Sequence, residues 1–196
     1  MTDFQRIHHR TTLEPLIRQI ENHPELWNQH PLRTKYTGTV HSDSSDIWIK
    51  YNDVNAKDLI DEMFNGKNAI NYPAFYVLSG VYGLLSSLMQ RVRGERLGRV
   101  LVTKLPPGGK ILPHIDEGET SSYYDRFHIV LSEGGYFSCG KSKIKMRFGE
   151  IWWFNNQKTH SVENDSENDR IHLIVDIRLA EFSPCWSWKD HKAGGI

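Results

Sequence analysis

The sequence contains little cysteine: only Cys139 and Cys185 occur among its 196 residues. Two thiols cannot supply the several disulfides that stabilise many small secreted domains. The opening segment, MTDFQRIHHRTT, carries charges and lacks the apolar stretch of a secretory signal peptide. Together these features predict a protein of the reducing cytoplasm.

Long apolar runs and an excess of charge are also missing. No stretch approaches the ~18 consecutive apolar residues of a transmembrane helix, so a membrane partner is not expected. The 24 Lys and Arg residues balance the 24 Asp and Glu residues. Because duplex-binding proteins usually carry a basic surface, a nucleic-acid partner is not expected either. The one short basic segment, KSKIKMRF at 141–148, alternates as an exposed strand face does.

The composition that remains is that of an ordinary globular protein, with 38% hydrophobic and 24% charged residues. The length suits one domain with a sizeable core. We therefore interpret residues 1–196 as a single domain in three parts. Residues 1–97 are expected to form mostly helical support and substrate-side segments, residues 98–180 a β-rich core, and residues 181–196 a tail without a clear pattern.

Apolar residues at helical spacing predict three helices in the first half of the chain. The first lies within residues 3–30 and has its apolar positions at Leu13, Leu16, Ile17 and Ile20. A short helix is predicted over 55–66 with Asn55 as its cap, and a long buried helix over 74–94. Between them, DIWIKYND at 46–53 is predicted to be a strand.

From Arg99 onward, short runs of β-branched and aromatic residues are punctuated by Gly, Pro and Asn. This texture predicts a β-sandwich or barrel, backed by the helices of the first half. Segments 126–131 and 170–179 alternate strictly, so each strand has one apolar and one polar face. The polar faces carry Arg126, His128, Arg170, His172, Asp176 and Arg178. They would either face water or line a barrel interior, where cations require an anionic guest or carboxylate partners.

A possible metal site begins with His114 and Asp116, which are two residues apart and so share one face of a strand. His160 follows the aromatic run EIWWFNNQKT, at the expected start of another strand. Two histidines and one carboxylate suit non-haem Fe(II), because they hold the ion and leave positions open. Arg170 comes ten residues after His160, and its guanidinium could pair with a carboxylate of a cosubstrate.

Simpler interpretations exist for each of these histidines. His114 could be a surface residue after Pro113, and His160 could lie in a loop between strands; the joint pattern with Asp116 and Arg170 favours the metal site over both. His41 could reach the rim of a cavity or be an ordinary loop residue. Histidines in polar segments are interpreted as exposed and structural, namely His8, His9, His23, His30 and His191.

With these motifs the sequence resembles the aspartyl/asparaginyl β-hydroxylase family of Fe(II)- and 2-oxoglutarate-dependent oxygenases. The resemblance rests on LPPGGKILPHIDEG, YYDRFHIVL, GEIWWFNNQKTHSVEN and DRIHLIVDIR, which span about residues 98–180. It extends more weakly through HPLRTKY and HSDSSDIWIKYND. The proline-glycine turn before His114, the Arg-Phe-His strand and the spacing from His160 to Arg170 together make it specific.

The resemblance implies a mainly β fold, a double-stranded β-helix (jelly-roll, cupin-like) core with N-terminal helices. It implies that His114, Asp116 and His160 hold the catalytic iron, that Arg170 binds the distal carboxylate of 2-oxoglutarate, and that Arg126 and His128 lie near this cosubstrate. One departure stands out, because the animal members that act on epidermal growth factor-like domains have Gly where this chain has Asp116. An intact triad resembles the bacterial amino-acid hydroxylases, and it argues against a halogenase, which needs that position free for halide.

The resemblance thus implies a dioxygenase that uses O2 and 2-oxoglutarate to hydroxylate an amino acid, or an Asp, Asn or Pro residue of a peptide, with release of succinate and CO2. A rival interpretation is a cupin-like module that binds a metal or an acidic ligand without turnover; another is a structural protein with a degenerate site, which the intact triad disfavours. Segments 30–50 and 117–125 are expected to be loops that shape the substrate pocket. The sequence makes no prediction of oligomeric state.

Overall fold

Two antiparallel sheets form the framework of the protein. Its computed structural model describes residues 2–7, 12–55 and 57–189. The strands are β1 (Phe4–Ile7), β2 (Ser45–Tyr51), β3 (Ile70–Asn71), β4 (Gly94–Leu105), β5 (Lys110–His114), β6 (Asp125–Ser132), β7 (Tyr136–Cys139), β8 (Ser142–Ile144), β9 (Ile151–Phe154), β10 (His160–Glu163) and β11 (Arg170–Leu179). The α-helices are α1 (Glu14–Asn22), α2 (Leu32–Lys35), α3 (Leu59–Asn65), α4 (Pro73–Val77), α5 (Val81–Val92) and α6 (Gly118–Tyr123), and short 3₁₀ turns cover Pro24–Leu26 and Trp186–Lys189.

The larger sheet has seven strands in the order β1-β9-β6-β11-β4-β2-β3, and the smaller has four in the order β5-β10-β7-β8. The two sheets pack face to face, since Val130 and Phe154 of the larger sheet share an apolar cluster with Phe137 and Val162 of the smaller. The predicted strand at 46–53 is confirmed as β2, and the two alternating segments are confirmed as β6 and β11.

Alternation along β6 and β11 separates the main core from the interior between the sheets. The outward apolar residues, such as Phe127 and Leu173, join Leu16 of α1 and Leu88 of α5 in one buried cluster. Full burial of a side chain of this size contributes about 1.5–3 kcal/mol. The helices therefore back the larger sheet, as the sequence predicts, and the polar residues of these strands face the smaller sheet.

The predicted long helix over 74–94 is wrong in detail, because two helices, α4 and α5, occupy this segment. The first ends at Val77, because Leu78 leaves the helical conformation with φ −90° and ψ 56°. The second begins after Gly80, where a Cβ atom would lie 2.7 Å from the backbone nitrogen of Leu16. Only glycine allows this close approach of α5 to α1. The second helix ends at Val92, Arg93 adopts a left-handed conformation with φ 52°, and Gly94 already begins β4.

The structure also corrects the predicted helix cap at Asn55 and the predicted loops. The short helix α3 begins at Leu59, capped by the Asp58 carboxylate, which accepts from the Asp61 amide at 3.0 Å. Asn55, the predicted cap, instead donates to Asp53. The expected loops at 30–50 and 117–125 contain helices α2 and α6, and the first also includes most of β2. No helix in the described part of the chain is long and apolar enough to cross a membrane.

Candidate metal centre

The structure brings together the three residues that the sequence selects as metal ligands. His114 ends β5 and His160 begins β10, and the two residues are paired directly across the smaller sheet. Asp116 follows β5, and its Oδ1 lies 3.5 Å from Nε2 of His114 and 3.6 Å from Nε2 of His160. One ligand atom from each residue lies within 4.8 Å of the others, so a single ion could contact all three.

Backbone carbonyls orient both imidazole rings toward the aspartate. The Nδ1 atom of His114 lies 2.7 Å from the Leu112 carbonyl oxygen, and Nδ1 of His160 lies 2.9 Å from that of Lys158. A carbonyl only accepts, so each Nδ1 donates and each Nε2 keeps its lone pair for a metal. Burial lowers the pKa of His160 to about 4, which keeps this ring neutral at pH 7.

The donor set fits a divalent metal. The Nε2 atom of His114 is buried and has no hydrogen-bond partner in the described part of the chain, although an unpaired buried acceptor normally costs stability. Two imidazoles and one carboxylate that occupy one side of an ion are the ligands of non-haem Fe(II) oxygenases. The structure thus supplies a vacant acceptor where the sequence predicts a ligand.

Arg126 connects the candidate ligand Asp116 to a second carboxylate. Its Nη1 donates to Oδ2 of Asp116 at 2.8 Å, and its Nε and Nη2 donate to the two oxygens of Asp176 at 2.8 and 2.9 Å. Although burial alone would raise the pKa of the Asp116 carboxyl, the Arg126 guanidinium holds that pKa well below its usual value. Asp116 is therefore ionised and available to a metal.

Arg170 forms a second cluster with His128 and His172 in the interior. The Arg170 side chain is buried, with 3% of the residue exposed, and no carboxylate of the described chain lies within ion-pair distance of it. Its Nη2 and the Nδ1 of His128 both lie 3.2 Å from Nδ1 of His172. Burial lowers the pKa of Arg170 to about 9 and holds both histidines neutral by lowering their pKa values well below the usual one.

Two phenylalanines link this cluster to the histidines of the metal site. The ring of Phe137 lies 6.1 Å from His160, 5.3 Å from His128 and 5.8 Å from the guanidinium carbon of Arg170. Phe154 lies 4.9 Å from His160 and 5.2 Å from His128. Phe137 therefore contacts both the buried cation and one candidate ligand in the interior between the two sheets.

A cavity of about 350 Å³ opens onto the metal site from the other side. His114, Asp116 and Arg126 line it together with Arg99 of β4 and with residues of the first half of the chain, among them Arg33, His41, Tyr51 and Phe64. Neither Arg170 nor His128 lines it. The expected pocket-shaping role of 30–50 and 117–125 agrees with this lining, to which Glu117 and Ser121 also contribute.

The remaining histidines, which are interpreted above as loop or structural residues, lie in different environments. His41 lies in a turn and also lines the cavity, with its ring 5.2 Å from that of His114. His23 and His30 are both partly buried rather than fully exposed. His23 keeps 40% of its side chain exposed and pairs with Glu25, and His30 stacks on Trp48. His8, His9 and His191 lie outside the described residues.

Sequence reasoning missed Arg33 and Arg99 as cavity residues. Arg33 lies in a polar segment, where nothing in the local pattern marks it; its Nη1 donates to Asp46 at 2.6 Å and its Nη2 to His41 at 3.1 Å. Arg99 interrupts the apolar strand sequence GRVLV. A charged residue within an apolar strand is the signal from which its position in the cavity could have been predicted.

Comparison with solved structures establishes the fold. The viral collagen prolyl hydroxylase of Paramecium Bursaria Chlorella virus-1, solved with 2-oxoglutarate, matches with a TM-score of 0.54 and 12% identity, over 91% of this chain and 97% of that one. A Pseudomonas putida prolyl-4-hydroxylase matches with a TM-score of 0.53 and 13% identity, over 91% and 93%. The predicted mainly β, double-stranded β-helix fold is confirmed.

Two curated proteins are similar in sequence over shorter segments. An oxalate-binding protein of Thermotoga maritima is 36% identical over 76 residues, which cover 39% of this chain and 59% of that protein. L-proline cis-3-hydroxylase 1 of a Streptomyces species is 32% identical over 89 residues, 43% of this chain and 30% of that enzyme. The chain therefore spans less than two thirds of either relative.

A family model supplies the longest sequence match. The model of the aspartyl/asparaginyl beta-hydroxylases covers residues 64–179, more than half of the chain, and includes His114, Asp116, His160 and Arg170. The resemblance noted in the sequence is thereby confirmed, and this chain belongs to the aspartyl/asparaginyl β-hydroxylase family.

Proposed function

We propose that this protein is an Fe(II)- and 2-oxoglutarate-dependent dioxygenase that hydroxylates a C–H bond of an amino acid, or of an Asp, Asn or Pro residue in a peptide, and releases succinate and CO2. One observation carries the proposal. An open His114–Asp116–His160 donor set shares an interior with Arg170, a buried cation without a carboxylate partner in the described chain. Family membership and the similarity to a proline hydroxylase support it.

Each part of the site has a distinct task in this proposal. His114, Asp116 and His160 would hold Fe(II), whose bound form supplies the redox chemistry that couples O2 and 2-oxoglutarate to hydroxylation. Arg170 would pair with the distal carboxylate of 2-oxoglutarate, since a planar guanidinium matches a carboxylate with two parallel hydrogen bonds. His128 is expected beside the same cosubstrate, because it shares His172 as a hydrogen-bonding neighbour with Arg170.

The size of the cavity and the charge of its lining favour a small acidic substrate or a single residue of a peptide. Its volume of about 350 Å³ lies near the lower end of the ~300–1,000 Å³ typical of ligand pockets. Arg33 is neutralised by Asp46. Within the described residues, Arg99 donates to the neutral Asn52 side chain, at 2.6 Å, and to the Met63 carbonyl, and it has no carboxylate partner there. Its guanidinium also lies over the Tyr51 ring at 4.7 Å. Arg99 is therefore free to receive a substrate carboxylate.

Arg99→Met is expected to lower kcat/KM for a carboxylate-bearing substrate by about 10–100-fold, since a hydrogen bond to a charged group contributes roughly 1.5–3 kcal/mol. Iron and 2-oxoglutarate affinities should stay as in the wild type. Arg96→Met is the matched control, because Arg96 lies on the same strand, bonds to Asn68 and does not line the cavity. Steady-state kinetics of both variants test the assignment; equal kinetics for the two would remove Arg99 from substrate binding.

The proposed function is tested first by binding under anaerobic conditions. Addition of Fe(II) and then 2-oxoglutarate should produce the visible charge-transfer absorption of an iron-bound 2-oxo acid. Substrate amino acids and peptides can then be screened by succinate release in air. Binding of iron without this absorption would contradict the use of 2-oxoglutarate.

A second candidate is a module that binds a metal and an acidic ligand without turnover. The similarity to the oxalate-binding protein of Thermotoga maritima favours it, and the buried Arg170 would serve it equally well. Calorimetric titration of the metal-loaded protein with oxalate and with 2-oxoglutarate separates the two. Tight oxalate binding together with no succinate release would make this module the better description.

A further inference from the structure

A continuous chain of ion pairs, Asp116–Arg126–Asp176, supports one side of the candidate metal site. We propose that Asp176 is a positioning residue: it holds Arg126 so that Arg126 occupies only one oxygen of Asp116 and leaves the other for the metal. This inference rests on the proposed metal site. It differs from the role near the cosubstrate that the family resemblance implies for Arg126.

Register and burial fix the pair at the centre of the larger sheet. Arg126 on β6 and Asp176 on β11 are direct cross-strand partners, and both side chains are on the faces that look toward the smaller sheet. Asp176 is 1% exposed. A carboxylate this deeply buried is costly unless it is paired, and Arg126 satisfies both of its oxygens.

The geometry of the guanidinium divides its donors between the two acids. Asp176 takes the Nε and Nη2 side of the planar group, so that Nη1 is directed at Oδ2 of Asp116 at 2.8 Å. The other oxygen, Oδ1, is the one that lies 3.5 and 3.6 Å from the two histidine Nε2 atoms. Without Asp176, the guanidinium could turn and engage both oxygens of Asp116, because arginine pairs readily with carboxylates through two parallel bonds.

The charges lead to the same assignment. Arg126 forms ion pairs with two carboxylates, those of Asp116 and Asp176. These two acids balance its positive charge in the metal-free protein. Within the interior, Arg170 is the cation without such a partner in the described chain.

Cobalt(II) titration of the Asp176→Asn variant tests the proposal, with Co(II) as a spectroscopic substitute for iron. We expect the Co(II) affinity to fall by about 10–100-fold, the usual effect of losing a residue that orients a metal ligand, and the visible Co(II) spectrum to change. Asp125→Asn is the matched control. Asp125 is a buried aspartate next to Arg126 on β6 that accepts from Trp153 Nε1 at 2.9 Å on the opposite face of the sheet, and its variant should bind Co(II) as the wild type does.

The double variant Arg126→Gln/Asp176→Asn separates weaker metal binding from misfolding. It removes both charges of the buried pair and so leaves neither of them unpaired. It should also bind Co(II) more weakly and leave the 2-oxoglutarate affinity of the metal-loaded protein within about threefold. Wild-type Co(II) affinity in both variants would overturn the role of Asp176 while leaving the proposed function intact. Unchanged Co(II) binding with strongly weakened 2-oxoglutarate binding would return Arg126 to the cosubstrate. A wild-type protein that binds no Co(II) would overturn the inference together with the proposed metal site.

Discussion

His114→Ala is expected to abolish turnover and to weaken Fe(II) binding by several orders of magnitude. The variant removes one of the two imidazoles that face Asp116 and leaves two ligands, which can no longer hold an ion on one side. His114 lies at the end of an edge strand and its Nε2 has no partner in the described chain, so removing it breaks no hydrogen bond at that atom. The measurement is iron content after anaerobic loading, together with succinate release.

The control for this variant is His23→Ala, which removes a partly exposed histidine paired with Glu25 and far along the chain from the candidate ligands. It should load iron as the wild type does. Retained turnover in His114→Ala would rule out His114 as a ligand and with it the proposed triad.

Arg170→Met should lower the affinity for 2-oxoglutarate and raise the stability of the ligand-free protein. The affinity for 2-oxoglutarate is expected to fall by about 2–5 kcal/mol, the usual cost of deleting one partner of a buried charge pair. Iron binding should persist, because Arg170 contacts His172 and not the candidate ligands. The ligand-free protein should become more stable, since a buried charge without an acidic partner is replaced by an apolar side chain of similar length.

The pKa of Arg170 also predicts how the stability of the folded protein depends on pH. The pKa of Arg170 is lowered to about 9 in the folded protein, below the value of arginine in an unfolded chain. The unfolded state therefore holds the proton more strongly, and the charged side chain opposes folding at pH values below about 9. This opposition disappears as the pH rises above that value, so stability should gain a contribution there that Arg170→Met lacks.

Urea unfolding of the metal-free protein and calorimetric titration with 2-oxoglutarate measure the two effects. Arg178→Met serves as the control, because Arg178 lies on the same strand but pairs with Glu95 near the surface. It should show neither the gain in stability nor the loss of affinity. An Arg170→Met protein with wild-type 2-oxoglutarate affinity would remove Arg170 from the cosubstrate site.

Much of the β core could be predicted because its signals are local. The alternation in 126–131 and 170–179 defines two strands and the two faces of each, since successive side chains on a strand point to opposite sides. The local spacing of apolar residues does not mark the break in the helix predicted over 74–94, which lies at Leu78, a buried residue of the main core. The strand β1 was missed for a similar reason, because its partner β9 lies far along the chain.

The candidate ligands could be predicted from local sequence, because His114 and Asp116 are only two residues apart and the family motifs extend to His160 and Arg170. The surroundings of these residues depend on how distant strands pair in the folded protein. The pairing of β5 with β10 sets His160 beside His114, and the pairing of β6 with β11 joins Arg126 to Asp176. Segments of the first half of the chain bring Arg33 and His41 to the cavity. Such contacts join residues far apart in sequence, and their energies depend on burial and on hydrogen-bond geometry, which no local pattern of residues specifies.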